Sequence, residues 1–191
     1  MTIHRLSATE LRAALDRREL PAGEIVDALI ERRHAVDGKV GAWAETQDGH
    51  RQLAKVLGPQ ADAGLAAGER GPLLGLPLSI KENLEVRGMR VTLGFVSRRG
   101  ERAERDSVVV RMAREAGAVI LGTTNVPQSL LSAETTNYVC GTTNNPWALE
   151  RTPGGSSGGE AAALASGSSV LGVGTDIGGP LRIPTTLTGA A

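Results

Sequence analysis

The stretch from residue 152 to residue 184 decides the expected fold of this chain. It reads Thr-Pro-Gly-Gly-Ser-Ser-Gly-Gly-Glu over residues 152–160 and Gly-Thr-Asp-Ile-Gly-Gly-Pro-Leu-Arg-Ile-Pro over residues 174–184. An alanine-rich run and a short apolar run, residues 161–173, separate the two glycine-rich loops. The order predicts a loop, a helix, a strand and a second loop. Loops that expose backbone N–H groups beside serine hydroxyls are suited to holding an oxyanion.

Outside this stretch, the chain predicts strands that alternate with helices, which is the pattern of an α/β sheet. Apolar runs predict four strands, at residues 42–46, 78–81, 118–121 and 170–174. Helices are expected from the Ser7–Glu10 capping box to about residue 18, at 22–36, at 108–116 and after Gly159. One helix or a pair of helices is expected at about 47–67, with an interruption at Gly58–Pro59. Asp106 or Ser107 should cap the helix at 108–116, and Gly117 should close it.

The chain length is that of one domain, residues 1–191. Within it we distinguish a helical N-terminal part, residues 1–70, from a portion that carries the chemistry, residues 71–191. A long loop region is expected between residues 123 and 155. Aromatic residues are few, so leucine, valine, isoleucine and alanine must build the core.

Composition narrows the function classes. The 21 basic and 21 acidic side chains cancel and no basic block stands out, so we expect no nucleic-acid partner. One cysteine, Cys140, cannot form a disulfide within the chain, which fits a reducing compartment. Neither a signal-peptide pattern nor a run of about 18 apolar residues is present, so we expect no membrane association and a cytoplasmic location. No cofactor and no metal site are predicted from the spacing of possible ligands.

A serine-based hydrolase needs a nucleophile, a base and donors for the oxyanion. Three histidines occur, all in the N-terminal helical region and none in a motif, so a Ser-His-Asp arrangement is poorly supported. Lys81 ends an apolar strand and can replace histidine if burial lowers the pKa of its ammonium. Its side chain could equally reach from the strand end into solvent.

Both glycine-rich loops also have interpretations that involve no catalysis. The first loop could be a flexible linker, although a strongly helical run follows it directly. It could be a phosphate-binding loop at a helix N-terminus, but the Gly-Lys-Ser/Thr ending of a P-loop is absent. The second loop could be a tight turn after a strand.

Taken together, the segments resemble the amidase signature family, and residues 126–129 resemble its fatty acid amide hydrolase branch. The resemblance rests on Ser-Ile-Lys-Glu-Asn at 79–83, Gly-Ala-Val-Ile-Leu-Gly-Thr-Thr-Asn at 117–125, Val-Pro-Gln-Ser at 126–129, Asn-Asn-Pro-Trp at 144–147 and the two glycine-rich loops. It covers nearly the whole chain and is weakest before residue 73.

The resemblance implies an α/β/α sandwich with a mixed sheet and a Ser-Ser-Lys triad that hydrolyses amides of small molecules through an acyl-enzyme. Lys81 matches the base, and Ser156, usually on a cis peptide, matches the serine that bridges base and nucleophile. Ile177, Gly178 and Gly179 match the backbone donors of the oxyanion hole. Leu130 matches a residue near the acyl pocket.

Two departures put this activity in doubt. The nucleophile position is 180, where Pro180 stands in place of the expected serine, so neither a hydroxyl nor a backbone N–H is available there. Members of the family are also usually much longer, so we expect an incomplete fold with an exposed sheet edge and apolar surface.

Four functions therefore stay open. The first is an amidase with impaired activity, and the second is an inactive remnant of one. The third is a non-catalytic interaction module completed by another chain. The fourth, less favoured, is a protein like the transamidating component of the tRNA-dependent amidotransferases. A homo-oligomer and a complementing chain are both open as assemblies. The substrate is not indicated.

Overall fold

The computed structural model describes residues 2–46, 50–68 and 71–190. The helices are α1 (Ala8–Asp16), α2 (Ala22–Val40), α3 (His50–Ala66), α4 (Val108–Glu115), α5 (Gly158–Ala165) and α6 (Arg182–Thr188). The strands are β1 (Trp43–Thr46), β2 (Pro77–Lys81), β3 (Val119–Thr124), β4 (Thr136–Asn137), β5 (Gly141–Thr142) and β6 (Gly172–Val173).

Four of these strands form one mixed sheet in the order β1-β3-β2-β6. Strand β1 runs antiparallel to β3, whereas β2 runs parallel to both β3 and β6. The remaining two strands, β4 and β5, pair as a small antiparallel hairpin within the expected long loop region. The predicted α/β fold with a mixed sheet is confirmed.

Helices cover both faces of this sheet. Side chains alternate between the two faces along a strand, so each face contributes its own apolar side chains to a separate cluster. Leu78 and Ile80 of β2 pack into one apolar cluster with Val110 and Ala113 of α4. A second cluster holds apolar side chains of α1, α2, α3 and α5 with Val119 and Leu121 of β3. The sheet therefore lies between two helical layers, and α5 lies on the face opposite α4.

The N-terminal helices follow the sequence expectation closely. Ser7 Oγ accepts a hydrogen bond from the Glu10 N–H at 3.2 Å, and the Glu10 carboxylate accepts one from the Ser7 N–H at 2.7 Å, which is the expected capping box. Helix α1 ends at Asp16, two residues before the expected end. Helix α2 is four residues longer than expected and closes at Gly41, whose φ is +63°.

The expected interruption of the third helix at Gly58–Pro59 is wrong, because α3 continues through Pro59. Gly58 lies so close to Gly23 of α2 that a Cβ would collide with the Gly23 backbone. This close packing of the two helices outweighs the cost of the internal proline.

The expected cap of α4 is confirmed in position, at Ser107. Ser107 occupies the N-cap position, but its side chain makes no capping hydrogen bond. The carboxylate of Asp106 instead accepts from the Arg87 N–H at 2.8 Å and from Arg114 Nε at 2.9 Å. Gly117 follows α4 with a φ of +92°, as the expected closing glycine.

The two strands that pair with β2 differ from the expected lengths. Strand β3 runs to Thr124, three residues past its predicted end, because the polar residues Thr123 and Thr124 are fully buried between β1 and β2. Strand β6 contains two residues rather than five. It forms one edge of the described sheet.

Several large apolar side chains are exposed, which matches the expected apolar surface. Ile177 is 99% exposed, Trp147 74% and Leu187 47%. In the part of the chain that the structure describes, no helix combines the length and the apolar character needed to cross a membrane.

Candidate active site

Lys81 lies at the carboxyl end of β2, between β3 and β6. Its side chain points to the face of the sheet that α5 covers, opposite Leu78 and Ile80. The residue is 0% exposed. The alternative in which this lysine extends into solvent is therefore wrong, because the residue is enclosed at the end of the strand.

The first glycine-rich loop brings Ser156 to this lysine. Lys81 Nζ donates a hydrogen bond to Ser156 Oγ at 2.7 Å, and the Gly155–Ser156 peptide bond is cis. The loop is buried from residue 153 to residue 160, so it is not a flexible linker. Its glycines allow close backbone contacts: a Cβ at Gly155 would collide with the Ser132 carbonyl, and one at Gly159 with the Asn125 backbone.

Thr175, at the start of the second loop, is the third partner of Lys81. Lys81 Nζ donates to Thr175 Oγ1 at 2.9 Å and approaches the Thr175 carbonyl oxygen at 3.5 Å. Ser157 Oγ donates to the same carbonyl oxygen at 3.3 Å. Thr175 therefore connects the two loops at the lysine. Sequence reasoning gave it no role, although it lies inside the second glycine-rich loop.

The environment of Lys81 favours its neutral amine. Burial lowers the pKa of Lys81 from 10.5 to about 8, against the opposing effect of the Glu160 and Asp176 carboxylates. A lysine with a pKa in this range can serve as a general base near neutral pH.

Glu160, in the first turn of α5, lies on the face of the sheet to which Lys81 points. Its carboxylate accepts hydrogen bonds from Ser79 Oγ and, at 2.8 Å, from Thr124 Oγ1. Burial raises the pKa of Glu160 to about 7, although both hydrogen bonds and the Lys81 charge lower it. Sequence reasoning gave this glutamate no role either. The available signal was a single acidic residue at the start of an otherwise apolar helix.

Position 180 lies beside the serine pair. The Pro180 carbonyl oxygen accepts a hydrogen bond from the Ser157 N–H at 3.0 Å, at the N-terminus of α5. A side chain at this position is therefore next to the loop that carries Ser156. The residue found there is a proline, which supplies no hydroxyl.

The three residues that match oxyanion donors differ in their surroundings. Ile177 and Gly178 are exposed, whereas Gly179 is buried. The Gly179 N–H donates to Asp176 Oδ1 at 2.7 Å. Asp176 Oδ2 also accepts from Arg182 Nε at 2.9 Å, and this guanidinium holds the pKa of the Asp176 carboxyl well below its usual range.

Leu130 lies in the short 3₁₀ turn Gln128–Leu130, half-buried and with a φ of +61°. The chain runs on from this turn to Ser132 and Ala133, whose backbone lies against Gly155 of the first loop. Leu130 is thus on the segment that leads to the serine loop. Its place near an acyl pocket stays a prediction.

A buried lysine paired with a serine on a glycine-rich loop, within an α/β/α sandwich, is the arrangement of the amidase-signature hydrolases. The family model Amidase matches residues 24–191. The chain belongs to the amidase family.

Individual relatives agree with this assignment. A glutamyl-tRNA(Gln) amidotransferase subunit of Acidothermus cellulolyticus is 44% identical over 187 residues, which cover 97% of this chain and 36% of the relative. The solved structure of a fatty acid amide hydrolase matches with a TM-score of 0.90 at 31% identity, over 97% of this chain and 32% of that one. The peptide amidase from Stenotrophomonas maltophilia matches with a TM-score of 0.86 at 28% identity, over 94% and 38%. The chain spans well under half the length of each.

Proposed function

We propose that Lys81 and Ser156 are the proton-transfer pair of an acyl-transfer site for the hydrolysis of amides, and that Pro180 leaves this chain without the nucleophile. The observation that carries the proposal is the buried hydrogen bond of 2.7 Å between Lys81 Nζ and Ser156 Oγ. It joins a base whose pKa is lowered to the hydroxyl of Ser156, and the neighbouring Ser157 N–H donates to the Pro180 carbonyl oxygen at 3.0 Å.

With a serine at position 180, the proton would move in two linked transfers. Neutral Lys81 takes the Ser156 hydroxyl proton as Ser156 Oγ takes the proton of the nucleophile. The nucleophile attacks the amide carbonyl, and backbone N–H groups at 177–179 stabilise the oxyanion. The same route returns the proton to the leaving ammonia or amine, and water then hydrolyses the acyl-enzyme. Asp176 would have to release the Gly179 N–H for it to act as a donor.

The test is a burst experiment with a p-nitrophenyl ester, which acylates an activated serine and releases one nitrophenolate for each acyl-enzyme. The unaltered chain should give no burst. Pro180→Ser should give a burst that approaches one equivalent, and Lys81→Met in that background should abolish it. A burst from the unaltered chain, or none from a folded Pro180→Ser, would contradict the proposal.

We propose that the unaltered chain folds as this family does and is inactive. Whether a complementing chain binds to it can be tested separately by light scattering. A single cooperative melt of a monomer would count against the need for a second chain.

Amide transfer is a second candidate, favoured by the 44% identity to a component of an amidotransferase. It shares the attack on a carboxamide, and differs in that the released ammonia goes to a second acceptor. Because the 21 basic and 21 acidic side chains cancel, charge gives no support for tRNA binding by this chain. Salt-dependent binding of tRNA to the purified chain would favour this candidate, and its absence would favour hydrolysis.

A further inference from the structure

A second buried ionisable group, Glu160, lies on the same face of the sheet as Lys81 and takes no part in the steps above. Glu160 is 1% exposed, and its carboxylate is held by hydroxyls of both central strands, Ser79 of β2 and Thr124 of β3. Ser79 is two residues before Lys81 on the same face of β2. The carboxylate is thus fixed in direction by the strand that delivers the lysine.

Strand β6 has a glycine where this carboxylate packs. A Cβ at Gly172 would overlap the Glu160 carboxylate. Ser169 extends the network, since its hydroxyl lies 2.8 Å from Ser79 Oγ. Three strands and one helix therefore shape a closed space around one carboxylate, at the cost of burying a charge.

We propose that Glu160 is a positioning residue whose buried carboxylate stabilises the Lys81 ammonium and so sets the pH range in which Lys81 can act as a base. This proposal rests on the base role given to Lys81 above. A base in a buried site becomes an ammonium when it takes its proton, and that charge is costly without a nearby counter-charge. Glu160 supplies the counter-charge.

The charges that act on Lys81 come from two elements. Glu160 acts from α5 and Asp176 from the second loop, and both favour the ammonium. The other partners of Lys81, Ser156 and Thr175, are neutral hydroxyls. The positive charge of Lys81 in turn lowers the pKa of Glu160, as do the hydrogen bonds from the neutral hydroxyls of Ser79 and Thr124. Glu160 belongs to the buried network, whereas Asp176 is already paired with Arg182.

The protonation state of Lys81 can be read directly. The chain contains three lysines, Lys39, Lys55 and Lys81, so labelling with ¹³Cε-lysine gives three signals to follow against pH by NMR. The signal that disappears in Lys81→Arg identifies Lys81.

In Glu160→Gln, the titration midpoint of Lys81 should fall by about one pH unit or more, because the carboxylate that favours the ammonium is gone. Glu160→Asp keeps the charge and should restore part of the shift. The matched control is Glu82→Gln, which removes a buried glutamate next to Lys81 in sequence whose carboxylate binds Thr92 and Leu93 instead. That control should leave the Lys81 midpoint unchanged.

A reciprocal measurement keeps the proposal testable if Glu160→Gln does not fold. Coupling between two sites is mutual, so Lys81→Met must raise the titration midpoint of the Glu160 carboxyl, followed by its ¹³Cδ signal, by a similar amount. An unchanged Lys81 midpoint in folded Glu160→Gln, or an unchanged Glu160 midpoint in Lys81→Met, would overturn the proposal. Neither result depends on the ester burst, so a failure here is distinct from a failure of the proposed function.

Discussion

The two glycine-rich loops of this site differ in how they are held. The first, residues 153–160, is buried throughout and packs its glycines against backbone from other segments. The second is exposed at residues 176–178, and Asp176 organises it through its own neighbours Gly179 and Arg182. The first loop keeps the serine that binds Lys81, whereas the second has a proline at position 180, where we propose that an active relative carries its nucleophile. Ser157 joins the two loops through the carbonyl oxygens of Pro180 and Thr175, and these backbone acceptors do not depend on the side chain at position 180.

The largest expected contrast between the loops is in their tolerance of a methyl group. Gly159→Ala should lower the free energy of unfolding by about 3 kcal/mol, because its Cβ would collide with the Asn125 and Ala42 backbones. Gly178→Ala in the second loop should change it by less than about 0.5 kcal/mol, since no atom lies within 4 Å of the added carbon. Urea denaturation measures both. Equal effects of the two substitutions would break the comparison.

The free energy of unfolding should depend on pH through Lys81, the buried lysine that contacts the first loop. The pKa of Lys81 is about 8 in the folded chain against 10.5 ordinarily, so its contribution is fully present above pH 10.5 and is lost as pH falls through 8. Stability should therefore rise between pH 8 and 10, by about 2 kcal/mol relative to Lys81→Met.

Urea denaturation of the chain and of Lys81→Met at pH 7, 8, 9 and 10 measures this difference. A difference that stays flat across the range would show that Lys81 titrates as an exposed lysine does. Glu160 acts in a separate window, because its raised pKa of about 7 makes it stabilise the fold below pH 4.5 and lose that contribution as pH rises through 7.

A smaller effect is expected from the hydroxyls of the serine pair. Ser156→Ala removes the acceptor of the Lys81 hydrogen bond and should cost about 2 kcal/mol of unfolding free energy. Ser157→Ala should cost less, because the hydrogen bond of Ser157 Oγ to the Thr175 carbonyl is longer, at 3.3 Å. A larger loss of unfolding free energy for Ser157→Ala than for Ser156→Ala would contradict this order, because Ser157 would then make the stronger contact of the first loop.

The mildest prediction concerns the second loop. The Arg182 guanidinium and the Gly179 N–H hold the pKa of Asp176 well below its usual 3.8. Arg182→Gln should bring the titration midpoint of the Asp176 carboxyl back towards 3.8, as measured by its ¹³Cγ signal. Because this group is solvated, the global stability should barely change. An unchanged midpoint would mean that the backbone donors alone organise this loop.

Much of the fold could be predicted from the sequence, because local signals there agree with the tertiary structure. The Ser7–Glu10 capping box, the apolar run of β2 and the glycine after α4 each act within a few residues, and all three are confirmed. Pro59 gave a wrong expectation for the opposite reason. Packing of Gly58 on Gly23 keeps α3 continuous, and no local pattern reveals it.

The site was predictable in part. Lys81 and Ser156 stand in recognisable stretches, and the structure places them in contact. Thr175 and Glu160 also stand in the glycine-rich stretches. Their hydrogen-bond partners Lys81 and Ser79 are 94 and 81 residues away, which sequence spacing does not convey. The hydrogen bond between the Gly179 N–H and Asp176 is local, and it was missed because a backbone donor was expected to be free.

The most direct test of the central claim is intact mass after treatment with a fluorophosphonate, which forms a covalent adduct with an activated serine. The claim is that the first loop retains its proton-transfer pair while the second lacks the nucleophile. The unaltered, folded chain should gain no adduct, and Pro180→Ser should gain one, located by peptide mapping at position 180. An adduct on Ser156 or Ser157 of the unaltered chain, or no adduct on folded Pro180→Ser, would contradict the account.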